Sequence, residues 1–120
     1  MSLRVLIVDD HAGFRSRARA LLKLEGYDVV GEAVDGESAL SAVRRLHPDL
    51  VLLDVRLPDV DGFEIARRLA RDDAPPAVIL ISSRDATDYG GRIAGSGATG
   101  FITKAELSGS SLAALLAPGP

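Results

Sequence analysis

Hydrophobic positions along the chain follow two alternating rhythms. Short, β-branched runs are separated by longer stretches in which apolar residues recur every three or four positions. The short runs include Leu3-Arg4-Val5-Leu6-Ile7-Val8, Leu50-Val51-Leu52-Leu53, Val78-Ile79-Leu80-Ile81 and Phe101-Ile102-Thr103. Runs of this kind read as buried parallel strands. Residues 27–33 read as one further short strand.

The longer stretches predict amphipathic helices. Phe14, Ala18, Leu21 and Leu22 recur at i, i+4, i+7 and i+8, with Gly26 after Glu25 as the C-cap. Asp35 is placed to cap a second helix, Gly36–Leu46, whose Ala39, Leu40, Val43 and Leu46 face inward. His47-Pro48 ends it, because the residue before proline avoids the α region. Residues 58–71 read as a third helical stretch, with Phe63, Ala66, Leu69 and Ala70 inward, and Pro75-Pro76 breaks the chain before the fourth strand. Residues 85–96 predict a poor fourth helix. Gly90, Gly91 and Gly95 each cost about 1 kcal/mol against alanine there, so a short, frayed or mobile segment is expected. A fifth strand, Gly100–Thr103, leads to a last helix over residues 108–117, stopped by Pro118-Gly119-Pro120.

Five β/α units with right-handed crossovers place helices on both faces of a parallel sheet. The fold class predicted is α/β: a flavodoxin-like (βα)5 three-layer sandwich with strand order 2-1-3-4-5. One domain over residues 1–120 is expected, with the fold spanning about residues 3–117 and no effector domain. Ligands of open α/β sheets bind beyond the carboxyl ends of the strands. Four strands end in residues with chemistry to offer: Asp9-Asp10, Asp54, Ser82 and Lys104. The second strand ends without one, and the predicted order puts it at an edge. The other four are contiguous, so one crevice can collect three carboxylates, a hydroxyl and an ammonium.

Composition narrows the field. With 120 residues, 47% apolar and 26% charged, the chain suits one soluble globular unit. Its net charge of −3 gives no electrostatic reason for this domain to bind nucleic acid. The absence of cysteine excludes disulfides, thiolate metal sites and thiol nucleophiles. The apolar runs are far too short for a membrane helix, and Met1-Ser2-Leu3 leads almost directly into a strand, so a cytoplasmic protein is expected. Twelve of the fourteen cations are arginine; the lysines are Lys23 and Lys104. A lysine at a strand end of such a chain stands out, since it offers a compact point charge where arginine offers a planar fork.

Asp9, Asp10 and Asp54 in one crevice would repel, and a bound cation relieves this. Oxygen donors favour Mg²⁺ or Mn²⁺ over Zn²⁺. A carboxylate can also act as a nucleophile and form an aspartyl phosphate. A simpler role for Asp9-Asp10, capping the first helix, accounts for one aspartate but not two. Asp54 alone could be a turn residue and Ser82 alone a strand-end turn residue; their joint placement carries the argument. Gly95-Ser-Gly97-Ala-Thr-Gly100 matches G-x-G-x-x-G but follows a helix and opens a strand, the reverse of a dinucleotide site. It reads as a turn. His11 and His47 read as isolated residues at a helix start and a helix end.

The chain resembles the receiver domains of two-component response regulators over essentially its whole length. The resemblance rests on Leu-Ile-Val-Asp9-Asp10-His11, on Leu-Leu-Asp54-Val-Arg-Leu-Pro58-Asp-Val-Asp61-Gly62, on Ile-Ser82-Ser83 and on Gly97-Ala-Thr-Gly100-Phe101-Ile-Thr-Lys104. Asp-Asp-His, and a lysine not followed by proline, are more similar to receivers paired with LuxR-type helix-turn-helix domains. The resemblance implies Asp54 as phosphoacceptor. It implies Mg²⁺ on Asp10, Asp54 and the Arg56 backbone carbonyl with Asp9 in support, and Ser82 and Lys104 on the phosphoryl group. Pro58 and Gly62 would shape the loop after the third strand. A sensor histidine kinase or phosphotransfer protein would be the donor. The output would be a switch in the surface of the fourth helix, fifth strand and fifth helix, controlling a partner, a homodimer or an effector domain, with transcription regulation one outcome. Catalysis would be limited to self-phosphorylation and autodephosphorylation.

Three features depart from the common pattern. Phe101 stands at the switch position, where many receivers carry tyrosine or histidine. Ala105 replaces the usual proline after Lys104. Arg56 and Arg84 lie two residues beyond Asp54 and Ser82, where phosphoryl lifetime is tuned. Two other readings remain: a Mg²⁺-dependent phosphatase, against which Arg56 stands where a second aspartate is needed, and a pseudo-receiver that only binds protein.

Overall fold

The computed structural model describes residues 2–116. Five strands, β1 (Arg4–Val8), β2 (Asp28–Ala33), β3 (Leu50–Asp54), β4 (Ala77–Ser82) and β5 (Gly100–Thr103), form one sheet in the order β2-β1-β3-β4-β5. All four pairings are parallel, as predicted. The helices are α1 (Ala12–Leu24), α2 (Gly36–Leu46), α3 (Gly62–Ala70) and α4 (Gly109–Leu116). The predicted end of the last helix at Ala117 and the stop at Pro118-Gly119-Pro120 lie outside the described residues.

Side-chain alternation along the strands divides the core in two. Leu6, Val8, Val51, Leu53, Val78 and Leu80 face α2 and α3, where Ala39, Val43, Phe63, Ile65 and Leu69 cover them. Val5, Ile7, Leu50, Leu52, Ile79, Ile81 and Ile102 face α1 and α4, under Phe14, Ala18, Leu22 and Leu112. Both faces of the central strands are therefore buried, which is why their sequences are continuous apolar runs.

Local chemistry sets the helix ends. Asp35 accepts from the Ser38 backbone N–H at 2.8 Å and caps α2, as predicted. His47 closes α2 in the left-handed region, with φ 48°. Gly26, with φ 90°, ends α1. Gly97, with φ 78°, makes the turn into β5, so the G-x-G-x-x-G match is indeed a turn.

Two predictions need correction. The third helix begins at Gly62, not Pro58, because residues 55–61 are held as a loop by tertiary hydrogen bonds. Asp61 caps α3 through the Phe63 N–H at 2.7 Å, and the Gly62 N–H donates to the Val55 carbonyl at 2.8 Å. A Cβ on Gly62 would lie 2.2 Å from the Asp54 carbonyl oxygen, so only glycine allows this closure. Within α3, Ala70 is exposed and Ile65 fills the inward position instead. The fourth helix is also replaced. Residues Ala86–Arg92 and Ala94–Ser96 form two pieces of 3-10 helix, broken at Gly90, with φ 56° and ψ −133°. The glycines that weaken an α-helix there decide the outcome.

Asp59 ties the 55–61 loop to the sheet-edge end of α2. Its Oδ1 accepts from the Gly36 N–H at 2.8 Å and its Oδ2 from the Glu37 N–H at 3.1 Å. The Gly36 N–H is the main reason the Asp59 carboxyl sits below the ordinary carboxylate range. A lowered pKa in the fold means stability gained at neutral pH and lost as pH falls through the folded value. We predict that Asp59→Ala is less stable than the parent at pH 7, and that the gap closes below about pH 4. Urea unfolding at both pH values checks this; an equal gap at both contradicts it.

Candidate functional site

The pleat that builds the core also aims the site. Asp9 continues the Val5, Ile7 face, Asp54 continues the Leu50, Leu52 face, and Lys104 follows Ile102, so all three converge on the α1 side of the sheet edge. Asp9 is fully buried and Asp54 is 4% exposed. The Lys104 Nζ lies 2.6 Å from Asp9 Oδ2 and 3.2 Å from Asp54 Oδ2, and 4.7 Å from the centre of the Phe14 ring. One ammonium thus bridges two buried carboxylates that start 45 residues apart in sequence.

The remaining carboxylate oxygens are held by backbone. Asp54 Oδ1 accepts from the Arg56 N–H at 3.0 Å. Asp9 Oδ1 accepts from the His11 N–H at 2.7 Å. Neither Asp9 nor Asp10 caps α1, whose N-cap is His11 without a side-chain cap bond. The capping alternative therefore fails. Asp10, His11, Asp54, Arg56, Ser82 and Lys104 line one cavity of about 350 Å³, together with Leu57, Pro58 and Ser83.

Charge in this cavity is unbalanced. Burial pushes the Asp54 carboxyl above its ordinary range, and the charge of Asp9 adds to this; the Arg56 N–H and Lys104 oppose it. Burial pulls Lys104 down, but its bond to Asp9 and the charges of Asp54 and Asp9 outweigh that, and its pKa is raised. Asp9 Oδ2 is buried and has no well-aligned hydrogen bond, although the ammonium is in contact with it. Oxygens of Asp9, Asp10 and Asp54 and a nitrogen of His11 all lie within 4.8 Å of one another. An under-bonded buried oxygen within an oxygen-rich cluster suits a hard divalent cation.

His11, isolated by its sequence pattern, has two carboxylate partners in the structure. Its Nδ1 is 3.1 Å from both Asp9 Oδ1 and Asp10 Oδ1. Carboxylates only accept, so that nitrogen is a donor here. Ser82 is placed differently from the acids. It continues the Leu80 face, toward α3, and is 1% exposed. Its Oγ lies 2.5 Å from the Tyr89 hydroxyl and accepts from the Arg84 N–H at 3.1 Å. Tyr89 is not among the residues that the sequence pattern marks for the site. Its ring stands between Phe63 and Phe101, 5.4 and 5.9 Å away centre to centre. No periodic signal could reveal it, since it sits in a glycine-broken segment. Phe101 is half-buried in this stack. Arg56, Arg84 and Arg92 line a neighbouring cavity of about 330 Å³ with Tyr89, and Arg92 pairs with Asp61.

This fold and acidic edge are those of a receiver domain, and comparison with known proteins gives the family. The chain belongs to the response regulator receiver domain family, which it matches over residues 5–116. It is 38% identical to the response regulator GacA of Pseudomonas viridiflava over 103 residues, covering 85% of this chain and 48% of GacA. Among solved structures, it resembles a LuxR-family two-component response regulator from Aurantimonas sp. SI85-9A1 at 30% identity and TM-score 0.84, covering 96% of this chain and 86% of that one. The receiver domain assigned to NarL of Mycobacterium tuberculosis gives 34% identity and TM-score 0.83, with 98% of each chain covered. The chain spans about half the length of GacA and similar curated relatives. The flavodoxin-like fold and the two-component class read from the sequence both hold. No helix among the described residues is long and apolar enough to cross a membrane.

Removing the ammonium tests the charge account. Losing one partner of a fully buried pair costs about 3–5 kcal/mol; partial exposure of Lys104 lowers this. We predict that Lys104→Met loses about 1–3 kcal/mol at pH 7. Without the ammonium the Asp54 pKa rises further, the folded state binds more protons, and stability falls as pH climbs. Part of the loss should therefore return near pH 4. Urea unfolding at pH 7 and pH 4 checks it; the same loss at both contradicts it.

Proposed function

We propose that this chain accepts a phosphoryl group on Asp54 from a phosphohistidine of a sensor kinase or phosphotransfer protein. The observation that carries the reading is Lys104, whose ammonium touches both Asp9 and Asp54 at the carboxyl edge of the sheet. An Asp54 oxygen attacks phosphorus, a P–O bond forms, the P–N bond breaks, and the freed imidazole nitrogen takes a proton. The Arg56 N–H holds Asp54 Oδ1 and so fixes the carboxylate plane for attack. Lys104 steadies the negative charge before transfer and pairs with the phosphoryl oxygens after it. Ser82 donates to a phosphoryl oxygen.

Asp9, Asp10, Asp54 and the Arg56 carbonyl are the groups that would hold Mg²⁺, and Mn²⁺ suits the same donors. Bound there, the ion would supply positive charge opposite the developing charge of the transferred group. Asp59, Asp61 and Gly62 support the site by holding the loop that presents the Arg56 carbonyl.

A phosphoryl group adds about −1.5 to −2 charges. Ser82 and Lys104 are drawn to it, and Phe101 on β5 carries the change to the surface of the 86–96 segment, β5 and α4. The reaction is stoichiometric with later self-hydrolysis, so the chain is a switch and not a turnover enzyme. The output is a partner, a homodimer or an effector domain. Relatives of about twice this length, named as regulators, favour a transcriptional output. We place it in the cytoplasm, with its kinase partner.

Intact-mass spectrometry after incubation with Mg²⁺ and acetyl phosphate tests the reading. One base-labile phosphoryl adduct is expected on the parent and none on Asp54→Asn. Turnover of the donor without an adduct would indicate a phosphatase. Neither adduct nor turnover, with Mg²⁺ bound and a histidine kinase also failing as donor, would indicate a pseudo-receiver.

A further inference from the structure

The pleat leaves Ser82 and Asp54 on opposite faces. Asp54 meets Lys104 on the α1 side, while Ser82 points toward α3. Among the described residues, the Ser82 hydroxyl bonds only to the Tyr89 hydroxyl and the Arg84 N–H. The Arg84 N–H takes an acceptor position. Ser82 has a single proton, and its close partner at 2.5 Å is Tyr89. Either hydroxyl can donate in this pair; in the arrangement where Ser82 donates, its one proton is committed to Tyr89 and a group on Asp54 has to draw it away.

Tyr89 is also the anchor of its segment. From Ser83 to Arg92 every residue is exposed except Tyr89. Its ring is clamped edge-on by Phe63 and tilted against Phe101. Immediately after it come Gly90, kinked at φ 56°, and Gly91, and a side chain on either would meet nothing within 4 Å. The segment borders an apolar groove of about 410 Å³ in which Ala86 faces Phe101 and Leu115. Moving Tyr89 therefore changes a surface as well as a hydrogen bond.

We propose that Tyr89 is a positioning residue of the phosphoryl site. Its hydroxyl competes with the phosphoryl group for Ser82, and its release unlocks the Gly90-Gly91 segment. Phe101 has no hydroxyl, so it cannot report on Ser82 by hydrogen bonding; Tyr89 supplies the missing group from outside β5. The inference rests on Asp54 being the phosphoacceptor.

The test uses the parent, Tyr89→Phe, Ser82→Ala and the double variant. Tyr89→Phe keeps the ring between Phe63 and Phe101 and removes only the hydroxyl. The rate of adduct formation from acetyl phosphate with Mg²⁺ is measured by intact mass, and the Gly90 and Gly91 amide resonances are followed by NMR before and after phosphorylation. A partly buried hydrogen bond of ordinary strength predicts uptake roughly two- to tenfold faster in Tyr89→Phe. The two glycine amides should already be displaced, before phosphorylation, toward their positions in the phosphorylated parent. In the Ser82→Ala background, Tyr89→Phe should change neither quantity, since the competition needs both hydroxyls. Unchanged or slower uptake in Tyr89→Phe overturns the inference, as does the same effect with Ser82 absent. A parent that takes no phosphoryl group removes the functional reading and this inference together; a parent that does, with a silent Tyr89→Phe, removes the inference alone.

Discussion

Two buried carboxylates and one ammonium constrain the rest of this molecule. Asp9 and Asp54 are nearly sealed from water, and among the described residues Lys104 is the ammonium that touches both; backbone N–H groups of His11 and Arg56 hold their other oxygens. An ionised carboxylate in such a place is costly unless paired. The parallel sheet makes the arrangement possible. It brings the ends of β1, β3 and β5 to one edge, and the two-residue alternation turns their terminal side chains to one face. Asp10 adds a third negative charge at the rim. The pocket is thus built with more negative charge than its lysine neutralises. That surplus makes the pocket compatible with a divalent cation.

The same alternation divides the labour between the two faces. The α1 side holds the charges. The α3 side holds the hydroxyl of Ser82 and the rings of Phe63, Tyr89 and Phe101. Under the proposed function, a group attached to Asp54 would sit between these two sets, with Lys104 on one side and Ser82 on the other. Packed cores do not deform continuously, so a demand on Ser82 is passed to the aromatic stack. The glycine-broken segment beyond Tyr89 is the part with least to hold it, being exposed from Ser83 to Arg92 but for that one ring. The loop on the other flank behaves oppositely. Asp59 and Asp61 bond it to the starts of α2 and α3, and Gly62 lets it close against the Asp54 carbonyl. One side of the site is held by several backbone hydrogen bonds, while the other is tied down by Tyr89 and by the Arg92–Asp61 pair.

What the chain disclosed in advance follows the strength of each local signal. The strands were legible because both faces of β1, β3 and β4 are buried and their sequences show it without interruption. Asp9, Asp54 and Lys104 were legible because strand-end position is itself informative in an open parallel sheet. The start of α3 was not. Residues 58–61 have nothing against helix in their local pattern, and the bonds that keep them a loop reach to α2 and to Val55. Ile65 shares the buried face with Ala66 and Leu69, whereas Ala70, the last residue of α3, is exposed. His11 looked isolated since its two carboxylate partners precede it directly, where a sequence pattern shows adjacency and not side-chain direction. Tyr89 was invisible for a different reason: its role comes from a hydroxyl seven residues upstream and rings from two other elements. The regular scaffold was written locally; the contacts around Tyr89, His11 and the 55–61 loop were written in tertiary structure.

The central claim is that this edge carries surplus negative charge that a hard divalent cation relieves. Thermal unfolding as a function of Mg²⁺ concentration tests it most directly. A ligand that binds only the folded state stabilises it by RT ln(1 + [L]/Kd). The account predicts a melting temperature that climbs steadily with Mg²⁺ above its dissociation constant at constant ionic strength, and a response that is lost in Asp10→Asn. A melting temperature indifferent to Mg²⁺ in the parent, or an equal rise in Asp10→Asn, would contradict it.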